Sequence, residues 1–186
     1  MDDRAKQTLE IIFADAGIKG EFEVVQAPLK ETRMWMYGPV LVVFSDKSRI
    51  TEIELNKLIE FHDESGASQG MVVVSHSTPS EAVLKSVRTY LSNPNNPLLQ
   101  IFEIKHLGFD ISKHRNVPRH RVLIKDELAS FMKEFGLTHD TLSQLPKLDC
   151  LDPMAKRIRA RPGDVVEITG LSQTSGEYRH ARLVRA

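Results

Sequence analysis

Thiols, long apolar runs and net charge are what these 186 residues have least of. The single Cys150 excludes an intrachain disulfide and a cysteine-based structural zinc site, since each needs at least two thiols brought together. A reducing compartment fits such a chain. The longest unbroken apolar runs, residues 40–44 and 71–74, fall far short of the ~18–20 residues that span a bilayer. The opening Met1-Asp2-Asp3-Arg4 lacks the basic-then-apolar order of a signal peptide. A soluble, intracellular protein with no membrane partner is expected. Also missing are a phosphate-cradling G-x-x-x-x-G-K-[ST], a G-x-G-x-x-G, a G-x-S-x-G elbow and an H-E-x-x-H helix. That silence leans toward binding or assembly. No catalytic residue, metal ligand or cofactor is expected.

What is present can build a core: 41% of residues are hydrophobic and 27% charged, too apolar for a disordered chain and long enough for one or two domains. Lys+Arg and Asp+Glu are 25 each, so the total announces neither a polyanion binder nor an acidic tail protein. The balance hides a split. Residues 1–110 carry 11 basic and 16 acidic side chains, residues 111–186 carry 14 and 9, and halves of net −5 and +5 suggest two modules with different partners.

Leu9, Ile12, Phe13 and Ala16 follow helical spacing and end at Gly17, predicting a first helix over residues 4–16. Phe22 and Val24 alternate with acids, and residues 40–44 read as a strand buried on both faces. Thr51 and Glu54 make a capping box ahead of the stripe Leu55, Leu58, Ile59, His62. Residues 71–75 are a second buried strand. After it Thr78 is expected to cap a helix, with Pro79 at the first helical position and Glu81 closing a second capping box, as far as Tyr90 and the breaker at 93–97. An apolar stretch over 98–111 completes an α/β layer. Beyond His114 the spacing predicts a strand at 122–124 and a helix through Leu128, Phe131, Met132 and Phe135 to Gly136. A short helix at 141–145 stops at Pro146, and another is opened by Asp152 and Pro153. Strands follow at 165–168 and 182–184 around a turn-rich 172–176. The class is α+β: an α/β domain over 1–108 and a small α+β domain over 109–186.

Three groups of residues suggest chemistry. Glu103 and Lys105, two apart and so expected on one strand face, resemble the E-x-K half of restriction-nuclease-like sites, where a carboxylate holds Mg²⁺ and a lysine assists water. A nuclease needs a further aspartate, and the nearby candidates, Asp46 and Asp63, do not clearly stand at a strand start; three-residue E-x-K matches occur often by chance, and a solvated strand face is the favoured reading of the pair. His114 and His120 lack a neighbouring carboxylate or thiolate to complete a metal site. Lys156, Arg157, Arg159 and Arg161 form a basic cluster that suits a phosphate, an acidic protein surface or plain solvation.

Five motifs then stand in one order: Val117-Pro118-Arg119-His120, Gln144-Leu145-Pro146-Lys147, Asp152-Pro153-Met154-Ala155-Lys156, Pro162-Gly163-Asp164-Val165-Val166-Glu167-Ile168 and Ser172-Gln173-Thr174-Ser175-Gly176-Glu177-Tyr178. Together they resemble the fifth subunit shared by eukaryotic nuclear RNA polymerases, whose C-terminal part also occurs by itself as a small subunit of archaeal RNA polymerase. Thr78-Pro79-Ser80 is similar to an element of the eukaryotic subunit's N-terminal jaw.

The resemblance implies a nuclease-like jaw at 1–108 without catalytic residues, near downstream duplex DNA through Thr78, Pro79 and Ser80; Lys85 and Arg88, four and seven residues after Glu81 and so expected on one exposed helix face, would add phosphate contacts. It implies an assembly domain at 109–186 that docks on the largest polymerase subunit, with Val117, Pro118, His120, Pro146, Asp152, Pro153, Arg157, Arg159 and Gly163 as docking residues. The chain is then a non-catalytic subunit of DNA-directed RNA polymerase in the nucleus, contacting other polymerase subunits and forming no oligomer with itself. A Mg²⁺-dependent nuclease and a free-standing adaptor that kept the fold are the alternatives. The sequence departs from the family at Asn116, where leucine is usual, and at Arg157 and Arg159, where an aromatic residue and a glycine are common.

Overall fold

Ala5, Leu9, Ile12 and Phe13 lie on one side of a 3.6-residue repeat, and helix α1 (Asp2–Asp15) buries that stripe. The computed structural model describes every residue except Met1, Gln173 and Ser175. Gly17, at φ 74°, ends α1: its N–H donates to Ala14 O (2.9 Å) and Ile18 N–H donates to Phe13 O (2.8 Å), the two bonds of a Schellman cap. The described chain forms two compact units, Met1–Asp110 and Ile111–Ala186, each with its own mixed sheet, so the class is α+β.

In the first unit β1 (Phe22–Val25), β2 (Thr32–Tyr37) and β3 (Val40–Ser45) pair antiparallel, and β3, β4 (Met71–Ser75) and β5 (Leu99–Glu103) pair parallel. The sheet order is β1-β2-β3-β4-β5. No residue of β3, β4 or β5 is exposed, as continuous apolar runs require of strands covered on both faces. Val40, Val42, Phe44, Val72, Val74 and Phe102 share one core with α1, Trp35 and the 3-10 turn Ile104–Leu107. Strand alternation sends Leu41, Val43, Val73 and Ile101 to the other face. There the right-handed crossover rule places α2 (Glu52–Ser65) and α3 (Glu81–Leu91), which bury Leu55, Leu58, Val83, Val87 and Leu91. Strand β2 has no counterpart in the sequence reading, because Met34, Trp35 and Tyr37 are buried on alternating and consecutive positions alike and so show no clean period.

The capping box of α2 forms as the sequence predicts: Glu54 N–H donates to Thr51 Oγ1 (3.3 Å) and Thr51 N–H to Glu54 Oε2 (3.0 Å). That of α3 does not. Ser80 is the cap, accepting from Val83 N–H, because the Thr78 hydroxyl is committed to Glu103 and the helix begins two residues later. Glu81 is thus the first helical residue, out of reach of a cap amide, and pairs instead with Arg88 at 3.4 Å.

The second unit has sheet order β6-β8-β9-β7, from β6 (Arg119–Val122), β7 (Lys147–Asp149), β8 (Val165–Ser172) and β9 (Gly176–Arg185). Helix α4 (Lys125–Glu134) and the short α5 (His139–Leu142) cover one face: Phe131, Leu128, Leu142 and Leu145 pack with Leu123, Val165, Ala181 and Leu183. Val166, Ile168 and Val184 alternate to the other face, and α6 (Pro153–Arg157) buries Met154 and Ala155.

Several expectations shift here. The strand expected at 122–124 lies at Arg119–Val122, and Val117 ahead of it is a half-buried bend residue whose N–H donates to His114 O. The helix expected at 141–145 starts at His139, since Thr138 takes the cap role. Two strands run longer than their apolar cores, because register with each other carries β8 and β9 through polar residues to Ser172 and Gly176. Gln173 and Ser175 of the expected turn lie outside the described residues. Among the described residues no helix is long and apolar enough to cross a membrane.

Candidate functional site

Ligand-facing loops of open α/β sheets gather at the carboxyl ends of the parallel strands, and in the first unit those ends are Ser45, Ser75 and Glu103. The loops leaving them are tied together. Ser75 Oγ donates to Ser77 O (2.8 Å) and Phe102 O (3.3 Å), and Ser77 Oγ donates to Ser48 O. Thr78 Oγ1 donates to Glu103 Oε2 at 3.1 Å, while Lys105 Nζ stands 2.6 Å from Glu103 Oε1. Lys105 and then Thr78 outweigh burial and hold the Glu103 carboxyl below the usual carboxylate range. Arg33 grips Asp46 through Nε (2.9 Å) and Nη2 (2.5 Å) and reaches Asp2 at 2.6 Å; Lys47 pairs with Glu54.

This geometry corrects the E-x-K reading. Strand β5 ends at Glu103, and Lys105 belongs to the 3-10 turn that follows, so the two side chains meet by the turn's curl rather than along a strand face. Both Glu103 oxygens are engaged, Asp46 is held by Arg33, and Asp63 sits in the last turn of α2, which leads into the start of β4 rather than to the strand ends. Among the described residues no three His, Cys, Asp or Glu side chains could share a metal ion.

Of the residues expected near DNA, Thr78, Pro79 and Ser80 form the segment between β4 and α3. Lys85 is exposed on α3, lining a groove of about 600 Å³ with Glu52, Asn56 and Ile59 of α2. Arg88, expected on an exposed face, is half-buried and tied to Glu81. Exposed Arg49, Lys105 and His106 also stand in the strand-end loops.

In the second unit the expected docking residues are mostly turn and cap builders. Pro118 O faces His120 Nδ1 at 2.8 Å, and Pro146 O accepts from Leu183 N–H at 2.9 Å. Asp152 accepts from the N–H groups of Met154 (2.8 Å) and Ala155 (3.3 Å), with Pro153 first in α6. Gly163, at φ 96°, donates its N–H to Val184 O. Arg157 departs from the surface cluster expected of it: it is buried, because α6 turns that side into the fold.

Arg159 has φ 54°. Its N–H donates to Lys156 O (3.1 Å) and Ala160 N–H donates to Ala155 O (2.9 Å), so it occupies the left-handed position of a Schellman cap, the place glycine takes at Gly17. Burial, then the neighbouring Arg161, pushes its guanidinium down to about 10.

The sequence reading missed a polar network on the helix-covered face. Glu167, 5% exposed, takes Arg121 Nε at 2.7 Å and Arg179 Nε. Arg121 also pairs with Glu127, and Arg179 with Glu134 at 3.0 Å. Burial raises the Glu167 carboxyl, but Arg179 and Arg121 outweigh it and hold the group below its ordinary range. The available signal was Glu167 at an inward position of an apolar strand, with no neighbour in sequence to neutralise it.

Residues 109–184 match the family described as RNA polymerase Rpb5, C-terminal domain. The chain is 45% identical over 78 residues to the DNA-directed RNA polymerase subunit Rpo5 of Archaeoglobus fulgidus, a match covering 42% of this chain and 99% of that protein. It is 41% identical over 76 residues to Rpo5 of Methanosarcina barkeri (41% of this chain, 94% of that protein). It is 40% identical over 76 residues to Rpo5 of Thermococcus celer (41% and 89%).

Proposed function

The chain belongs to the Rpb5 family of RNA polymerase subunits, and from that premise we propose a division of labour between its two units. It is a structural subunit of DNA-directed RNA polymerase, a part of the transcription machinery. The second unit assembles it onto the largest polymerase subunit, the first unit is a jaw near downstream duplex DNA, and neither carries out nucleotide addition. The working compartment is the nucleus. One observation carries the assembly role: a match spanning 99% of an archaeal subunit takes up only 42% of this chain, so what the relatives share with it is a single unit's worth of sequence. The jaw role rests on Thr78-Pro79-Ser80, on exposed Arg49, Lys105 and His106 in the strand-end loops and on exposed Lys85 of α3. The occupied Glu103 supports a jaw without catalysis, and the relatives support neither the nuclease nor the adaptor reading.

Affinity purification of the tagged full chain, with quantitative mass spectrometry, tests the assembly role. Stoichiometric recovery of polymerase subunits, with cross-links from residues 109–186 to the largest one, is expected. Cross-links confined to residues 1–108 would overturn it. For the jaw, polymerase bearing Lys85→Glu should release downstream duplex sooner, with a shallower salt dependence.

A further inference from the structure

β6 is the outermost strand of its sheet, and one side of its backbone has no strand partner among the described residues. Register sets Arg119 opposite Thr169, His120 opposite Ile168, Arg121 opposite Glu167 and Val122 opposite Val166. Leu123 N–H donates to Val165 O at 2.9 Å. Directly opposed residues of an antiparallel ladder alternate between bonded and non-bonded pairs. Since Leu123 and Val165 are a bonded pair, Arg121 and Arg119 also turn their N–H and C=O groups toward β8. His120 and Val122 must turn theirs outward. No turn, loop or cap bond among the described residues uses those groups.

Two donors and two acceptors at strand spacing are a template for another strand, and proteins commonly protect such an edge with charge. Here the charge has one sign. Residues 111–125 hold Lys113, Arg115, Arg119, Arg121 and Lys125, with His114 and His120, and no acid. Only Arg121 of these is drawn into the described ion pairs, with Glu127 and Glu167. Arg119, the first residue of β6, and Arg115, in the turn that precedes it, are exposed.

We propose that the outer edge of β6 takes an extended acidic segment of another polypeptide in the polymerase, added to the sheet as a fifth strand; this rests on the subunit reading above. Backbone pairing supplies the attachment and the basic run selects the acidic partner. A nucleic acid would satisfy the arginines but offers no ladder of donors for the outward carbonyls of His120 and Val122.

The test uses the full chain, free and within purified polymerase, with amide hydrogen exchange read residue by residue. The amides of His120 and Val122 should exchange fast in the free chain and slowly in the enzyme, whereas Arg121 is protected in both. Val122→Pro removes an outward donor at a position where an edge strand tolerates proline. It should cut incorporation about tenfold relative to Val122→Ala, which controls for the lost side chain. Fast exchange at both amides in an enzyme that retains the chain would overturn the proposal and leave the subunit reading standing. Protection abolished by nuclease treatment would overturn the protein occupant. A chain absent from the polymerase altogether would overturn both readings.

Discussion

The two units solve the same problem with different materials. In the first, the three parallel strands β3 to β5 have no exposed residue, and the carboxylate that those strands bury stands at their margin, in Glu103 at the end of β5. In the second, a carboxylate stands in the middle of the sheet with an arginine on the strand to either side. Apolar burial is non-directional and tolerates acid and salt, while a paired carboxylate depends on its ionisation and on both partners. The units should therefore answer differently to the same perturbation.

The largest effect should come from emptying the first core. Phe44, 1% exposed, meets Trp35 edge-on at 5.3 Å between ring centroids. Phe44→Ala should cost about 3–5 kcal/mol, read in urea by the fluorescence of Trp35, the sole tryptophan. Hydrogen exchange should place the loss in residues 1–110; equal loss in both units would break the comparison.

Next comes the charged sheet. Glu167→Gln leaves Arg121 and Arg179 without their shared carboxylate, and because both arginines are about 40% exposed water recovers part of the loss, leaving about 2 kcal/mol. The sign with pH follows. A carboxyl held below its unfolded value stabilises fully above that value and loses its contribution as pH falls through the folded one. Acid should thus loosen residues 111–186 of the parent chain and spare much of that response in Glu167→Gln. Parallel acid curves for the two proteins would remove Glu167 from the account.

A smaller effect, of opposite sign, is expected at Arg159. A non-glycine residue in the left-handed region costs of order 1–2 kcal/mol, and glycine removes that cost while adding freedom to the unfolded chain. Arg159→Gly should raise the stability of the second unit by about 1 kcal/mol, measured by thermal unfolding. A loss instead would mean that the guanidinium's own contacts outweigh the backbone strain.

What could be read in the sequence divides along the same line. The buried strands, the Thr51 capping box and the Asp152–Pro153 helix start were legible because one local pattern decides each. The α3 cap was not: Thr78 and Ser80 are both competent, and the choice is made by Glu103, 25 residues away. The Glu167 network was invisible for the same reason, since its arginines come from strands 46 and 12 residues distant in sequence. The polymerase kinship was carried by motif order, and it marked Arg159 as standing where glycine is common before the backbone showed why.

The smallest effect should come from the margin of the apolar unit. Thr78→Val keeps the shape but removes the donor to Glu103, and a single hydrogen bond of this kind contributes about 0.5–1.5 kcal/mol. Lys105 remains, so the lower end is expected. Because Thr78 helps hold Glu103 below its ordinary range, the variant's carboxyl should titrate at higher pH, still below the unfolded value while Lys105 pairs with it. Side-chain carboxyl NMR reads that directly. The contribution of Glu103 is complete above the unfolded value and fades as pH falls through the folded one, so the fading should begin at higher pH in Thr78→Val than in the parent. In polymerase, releasing the proposed jaw's loop from Glu103 should shorten the lifetime of the downstream-DNA complex without changing subunit stoichiometry. An unchanged Glu103 titration would show that Lys105 alone sets the carboxylate, and that Thr78 is free to face a partner.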